Sequence, residues 1–200
     1  MTNTFIALLR GVNVGGANSL STKDFVGVLE ATGLRNIETY IQTGNAVFQA
    51  DTKDAAGLAK KIKAGIQRKH AFAPDVIVLR LDEFKRAVAS NPYRGADSNP
   101  KALHLMFLAS APENPDLAGF EKYRARDEEF SLKKQVLYFW APDGIGRSKL
   151  FARIEKFLGV ARTARNWRTV CKLLELARDV AATDAKATTQ PNKKQNRNSK

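Results

Sequence analysis

Two short stretches of this 200-residue chain concentrate side chains that can hold a negatively charged group. The first reads Arg10-Gly11-Val12-Asn13-Val14-Gly15-Gly16 and is answered further on by Gln42-Thr43-Gly44-Asn45. One guanidinium, three carboxamides (Asn13, Gln42 and Asn45) and several glycines suit charge-assisted and amide hydrogen bonds to an anion or a polar ring. The same residues also suit turns, where glycine supplies positive φ and asparagine caps it, and both readings stand. The second stretch is Gly146-Arg147-Ser148-Lys149, set against Arg165-Asn166-Trp167. If a helix starts at Ser148, its free N–H groups ringed by Arg147, Lys149 and Arg165 make an anion site. The spacing is not that of a P-loop, because GxxxxGK[ST] is missing. Ser148 as a simple N-cap and Trp167 as a core anchor are the structural alternatives.

Nothing in the sequence names a reaction. Cys171 lies in an amphipathic run with Val170, Leu173 and Leu174, and His104 lies inside the apolar stretch 103–108, so both are expected to be packed rather than paired. Asp127, Glu128 and Glu129 stand together in a polar run and read as a solvated loop rather than a general acid and base. One cysteine excludes an internal disulfide and a cysteine-rich zinc cluster, and His70 and His104 alone need carboxylates to hold a metal. No metal and no cofactor are expected, and whether the chain is an enzyme is left open.

The elements that must position these residues follow from periodicity. Residues 5–9 form an apolar run closed by a glycine-rich turn, a strand buried on both faces. Ser21, with Asp24 three residues on, caps a helix whose inward face is Phe25, Val28 and Leu29 and which ends at Gly33. Alternating runs 37–42 and 45–49 make a hairpin about Thr43-Gly44. Leu58, Ile62 and Ile66 mark a second helix, and 76–79 a fourth strand after Pro74. That order, β-α-β-β-α-β, is the split βαβ unit of ferredoxin-like folds.

The rest of the chain repeats the order. After a helical connector at 82–89 and a turn-rich segment at 91–100, it gives a strand at 102–108, a helix at 114–123, and a hairpin of 129–132 and 135–140 across Lys133-Lys134. A helix at 148–158 stopped by Gly159, a short strand at 160–163 and an additional helix from Trp167 complete it. The expected architecture is therefore α+β, with two tandem ferredoxin-like repeats (about 1–90 and 100–180) in a single globular unit. The first and second strands of such a unit run parallel, so the loop after strand one meets the 42–45 hairpin at one end of the sheet. The turn before the second helix and the exit of the last strand share an end in the second half.

The formal charge is +13 with a pI near 10. Residues 181–200 carry five Lys or Arg against one Asp, have no apolar periodicity and are expected to be a disordered basic tail. Residues 144–178 hold nine Lys or Arg (147, 149, 153, 156, 162, 165, 168, 172 and 178) against Glu155 and Glu175. Such a balance suggests a phosphate-bearing partner, and equally a solvated face. The early apolar run is too short for a signal peptide or a membrane span, so a cytoplasmic protein without membrane attachment is expected.

The segments Ala7 through Gly16 and Thr39 through Phe48 resemble the bacterial domain of unknown function 1697 family, as do Gly144-Ile145-Gly146-Arg147-Ser148-Lys149-Leu150 and Thr163-Ala164-Arg165-Asn166-Trp167 with Thr169-Val170 and Lys172-Leu173. The resemblance spans about residues 4–178, with Thr43 and Ala46 as mild departures. It implies tandem ferredoxin-like repeats and brings no activity. The candidate ligand-binding residues are Arg10, Asn13, Gln42, Asn45, Arg147, Ser148, Lys149, Arg165 and Asn166. The favoured partner is a small phosphate-bearing molecule, with weak nucleic-acid binding as a variant. The alternatives are an enzyme acting on a small anion between the halves and an interaction module without a ligand. Oligomeric state is not legible.

Overall fold

The computed structural model describes residues 2–16 and 18–188. The first half runs β1 (Asn3–Leu9), α1 (Thr22–Ala31), β2 (Arg35–Thr39), β3 (Asn45–Ala50), α2 (Ala55–Lys69) and β4 (Val76–Arg80). Helix α3 (Leu81–Ala89) connects it to β5 (Leu103–Leu108), α4 (Leu117–Tyr123), β6 (Glu129–Lys133), β7 (Val136–Trp140), α5 (Ile154–Leu158) and β8 (Arg162–Asn166). Helix α6 (Trp167–Thr188) ends the described chain. Two four-stranded antiparallel sheets result, ordered β2-β3-β1-β4 and β6-β7-β5-β8. The protein is α+β, and strand order is the same in both sheets.

Alternation along the strands divides the interior into three layers. In β1, Phe5, Ala7 and Leu9 face α1 and α2, where they meet Phe25, Leu29, Ile62 and Ile66. Ile6 and Leu8 face the other way, towards α3, α6 and the second sheet. This two-sided burial is what an uninterrupted apolar strand requires. In the second sheet Met106 and Leu108 pack outward on Phe120, Leu150 and Ile154, while Leu105 and Phe107 join the shared middle layer. Phe84 of α3 stacks on Phe107 with ring centroids 5.4 Å apart. The halves are thus held by one common core, to which each fully buried Leu, Ile or Phe contributes roughly 1.5–3 kcal/mol.

Local signals explain most boundaries. The Ser21 hydroxyl accepts from the Asp24 amide at 3.0 Å to start α1, and Gly33 at φ +79° takes the chain out of it. Several boundaries differ from expectation: β2 is Arg35–Thr39 rather than 37–42, α4 begins at Leu117 rather than at 114, and three further differences bear on the candidate residues. The segment 148–158 is not one helix: Ser148 Oγ accepts from the Phe151 amide and caps a 3-10 turn, Phe151–Arg153, before the five residues of α5. The last strand occupies Arg162–Asn166 rather than 160–163, because Gly159 at φ +68° and two further residues are needed to turn back. Helix α6 continues past Val180 to Thr188, so the boundary read from composition falls within a helix. An alanine-rich run keeps helix propensity after its apolar stripe has ended. Residues 189–200 of the expected tail lie outside the described residues. Among the described residues no helix is long and apolar enough to cross a membrane.

Candidate functional site

The two loops of the first half do meet, and the carboxamides of Asn13 and Asn45 are consumed in making the meeting. Asn13, held at φ +55°, donates through Nδ2 to the Leu20 and Gln42 carbonyls, and its Oδ1 accepts from the Leu20 amide at 2.8 Å. Gln42 contributes its carbonyl, and its side chain is exposed. Asn45 is buried at the start of β3 and donates to the Tyr40 carbonyl and the Thr43 hydroxyl, both at 2.9 Å. Gly44 lies so close to Leu9 and Val12 that a Cβ there would come within 2.5 and 2.6 Å of them.

Arg165 shows why the second cluster divides. Alternate residues of β8 face opposite sides of the sheet, and Thr163 and Arg165 point towards the first half while Ala164 packs in the outer layer beside Leu150 and Ile154. The Arg165 guanidinium therefore enters the first half, away from the layer that Arg147, Ser148 and Lys149 flank. Its Nε donates to Asn45 Oδ1, Nη1 to the Thr163 hydroxyl and Ala164 carbonyl (both 2.8 Å), and Nη2 to the carbonyls of Leu9 (2.7 Å), Thr43 and Gly44. All five N–H groups are satisfied by neutral oxygens. Burial without a carboxylate pushes its pKa down to about 10. This cationic side chain is a strut between the halves. Asn166 accepts from the Thr169 amide and caps α6, and buried Trp167 donates from Nε1 to Asp97 at 2.8 Å. Arg147 and Lys149 are exposed, ahead of a helix too short to offer a built anion site.

The chemistry converges instead on a seam that sequence reading identified only through Arg10. Arg10 Nη2 lies 2.8 Å from Glu155 Oε2 and Nη1 is 3.7 Å from Asp75, while Lys63 Nζ sits 2.9 Å from the other Asp75 oxygen. A pocket of about 180 Å³ opens beside them, lined by Arg10, Lys60, Lys63, Asp75 and Arg162 with Ala109, Ala161 and Thr163. Arg162 lies over the Phe151 ring with its guanidinium carbon 4.4 Å from the centroid, and Nη2 donates to the Phe151 carbonyl. Its Nε is buried and has no partner among the described residues. Burial lowers its pKa, Glu155 opposes that shift, and the positive charge of Arg10 adds to it.

The signals for Lys60, Lys63 and Arg162 were present but faint. The two lysines fall three apart on the polar face of α2, and Arg162 is three residues from Arg165, hence on the opposite face of β8. Placing the strand at 160–163 hid that alternation. Of the other candidates, His104 is buried, with no hydrogen-bond partner for Nδ1 among the described residues and a pKa lowered by burial. Cys171 is exposed rather than packed, and Glu128 is buried rather than solvated, accepting from the Ala125 amide at 3.0 Å. Among the described residues no three His, Cys, Asp or Glu side chains are grouped to hold a metal.

Residues 1–138 match the family described as protein of unknown function (DUF1697), and the chain belongs to that family. The segments at 144–150 and 163–173 that also suggested the resemblance fall beyond the matched span. A solved structure, that of the conserved bacterial protein SP0830 from Streptococcus pneumoniae, is similar over 88% of this chain and 99% of its own, with a TM-score of 0.64 and 23% identity. At that identity the likeness speaks for the fold alone. No curated protein matches the chain.

Proposed function

We infer that the protein binds a small phosphate-bearing ligand in the pocket between its two halves, each half being a ferredoxin-like unit. The halves are read so because each runs β-α-β-β-α-β with the same strand order. The observation that carries the ligand reading is the convergence of Arg10, Lys60, Lys63 and Arg162 against Asp75 around one pocket, with the Nε of Arg162 buried and unpartnered among the described residues. A buried N–H without an acceptor is costly, and an oxyanion supplies the acceptor and the opposite charge together. The phosphate group is the part that enters, because about 180 Å³ is below the roughly 300–1,000 Å³ usual for whole drug-sized ligands.

A small ligand is favoured over nucleic acid by where the basic residues of 144–178 point. Arg165 is enclosed, Arg162 lies on Phe151, Arg153 lies 4.6 Å from the Tyr123 ring centroid, and Lys172 pairs with Glu175 at 2.7 Å. These four of the nine are thereby drawn away from any single stripe for a polyanion to follow. Calorimetric titration with inorganic phosphate, pyrophosphate and mononucleotides tests the reading. Binding by at least one, lost in Arg162→Gln, is expected; no heat from any of them contradicts it.

A further inference from the structure

Beyond the phosphate pocket the seam widens into a cleft of about 810 Å³, one wall of which is strand β4. We propose that this cleft is a docking site for an extended acidic peptide segment of a partner protein, which adds as a fifth strand to the free edge of β4.

The backbone supports strand addition. Among the described residues strand β4 is the last of its sheet and pairs only with β1. The Arg10 amide donates to the Asp75 carbonyl at 2.9 Å, and the Leu9 amide turns the other way, to Gly44. In an antiparallel ladder residues alternate in direction, so Asp75, Ile77 and Leu79 address β1 while Val76 and Val78 address the cleft. The Arg80 amide, next in that series, is already taken by Glu83 at 2.9 Å. Val76 and Val78 thus present two N–H donors and two carbonyl acceptors at the spacing a new strand needs.

The four sheet edges are not equally protected. Strand β2 is bulged between Arg35 and Glu38, with Asn36 at φ +51°. Strand β6 begins and ends on charged residues, Glu129 and Lys133, and β8 carries Arg162 and Arg165. Strand β4 reads Val-Ile-Val-Leu without bulge, proline or charge until Arg80, and all five residues are only half-buried. Natural edges of that kind are blunted or covered.

The occupant follows from charge. The cleft is lined by Lys60 and Lys134, by Lys133, which donates to the Ser90 carbonyl, and by Arg86, which pairs with Asp82, against Glu83, while Ala55, Ala56 and Ala59 of α2 add only small side chains to it. Pairing β4 with β4 of a second copy would set these cations against each other, and a nucleic acid has no amide ladder to offer. An acidic strand satisfies both the edge and the rim.

The probe is a fluorescein-labelled peptide of alternating Glu and Val, titrated by anisotropy into the full chain. Binding is expected, with the amides of Val76 and Val78 slowed in hydrogen exchange. Methylating alternate peptide nitrogens on the β4 side, or replacing Glu by Lys in the peptide, should each weaken binding at least about tenfold. The double variant Lys133→Glu, Lys134→Glu, at residues that line the cleft and not the phosphate pocket, should do the same. Val78→Pro removes one outward donor where an edge strand tolerates proline, and should weaken binding while leaving the melting temperature within a few degrees. Arg162→Gln should leave peptide affinity unchanged, which separates this site from the phosphate pocket. Equal binding of the methylated peptide, unchanged exchange at Val76 and Val78, displacement by a short oligonucleotide, or a β4-linked dimer that excludes the peptide would each overturn the proposal.

Discussion

Arg165 donates through Nε to the side-chain oxygen of Asn45, a hydrogen bond between residues 120 positions apart that ties the last strand of the second sheet to the central hairpin of the first. Removing the guanidinium takes the partner from the buried Asn45 oxygen and from the half-buried Thr43 carbonyl, and leaves the Leu9 carbonyl only the longer bond from the Thr163 hydroxyl. Arg165→Ala should therefore be destabilising in urea denaturation, by about 1–3 kcal/mol for each buried acceptor left without a partner. Arg165→Lys should recover less than half of that, because an ammonium cannot reach the same fan of acceptors. A lysine variant as stable as the wild type would mean that the fan is unimportant.

Gly44 packs against Leu9 and Val12 in the same joint, at φ +70°. A Cβ there meets backbone strain and a clash together, so Gly44→Ala should lower stability by about 1–3 kcal/mol or more. Gly15→Ala is the control for strain without a clash, since nothing lies within 4 Å of a Cβ at that position. It should cost clearly less in the same urea titration.

The Arg10–Glu155 pair also crosses the halves, but both side chains are about 40% exposed. Exposed ion pairs are worth about 0–1 kcal/mol. Arg10→Ala should move the urea midpoint little and weaken phosphate binding, measured by calorimetry on the same preparation. Unfolding of the variant would make Arg10 a structural residue first.

Much of the fold could be read from the residues because the governing signals are local. The two-sided apolar strand at 5–9, the Ser21 cap with Gly33 and the turn at Thr43-Gly44 are set by neighbours within a few positions. The convergence of the Arg10 loop with the 42–45 hairpin also follows from strand direction. What escaped depended on side-chain partners that periodicity does not show, some a few positions away and some distant. Asn13 and Asn45 carry side chains suited to a ligand, and only the fold reveals that Leu20, Tyr40 and Arg165 already occupy them. Arg165 looks like a surface cation in a basic segment, and its inward direction is fixed by a strand boundary two residues from where periodicity placed it. The pocket residues Lys60, Lys63 and Arg162 come from separate elements, and no spacing in the chain announces that they meet.

His104 gives a pH dependence with a definite sign. Burial lowers its pKa from the ordinary 6.5, so below that value the unfolded chain takes up a proton that the folded chain resists. The stability is complete above about pH 6.5 and falls as the pH drops, by at most about 1.4 kcal/mol per pH unit for one proton. Urea midpoints measured from pH 7.5 down to 5 should show a smaller decline in His104→Phe than in the wild type. Parallel declines would remove His104 as the cause.

The most direct measurement compares phosphate affinity in two variants by isothermal titration. Arg162→Gln removes a guanidinium that lines the pocket, while Arg147→Ala with Lys149→Ala removes the exposed cations at the 3-10 turn. The pocket between the halves predicts at least about a tenfold loss of affinity in the first and little change in the second. Full affinity in Arg162→Gln with loss in the double variant would place the anion at the turn and contradict the account.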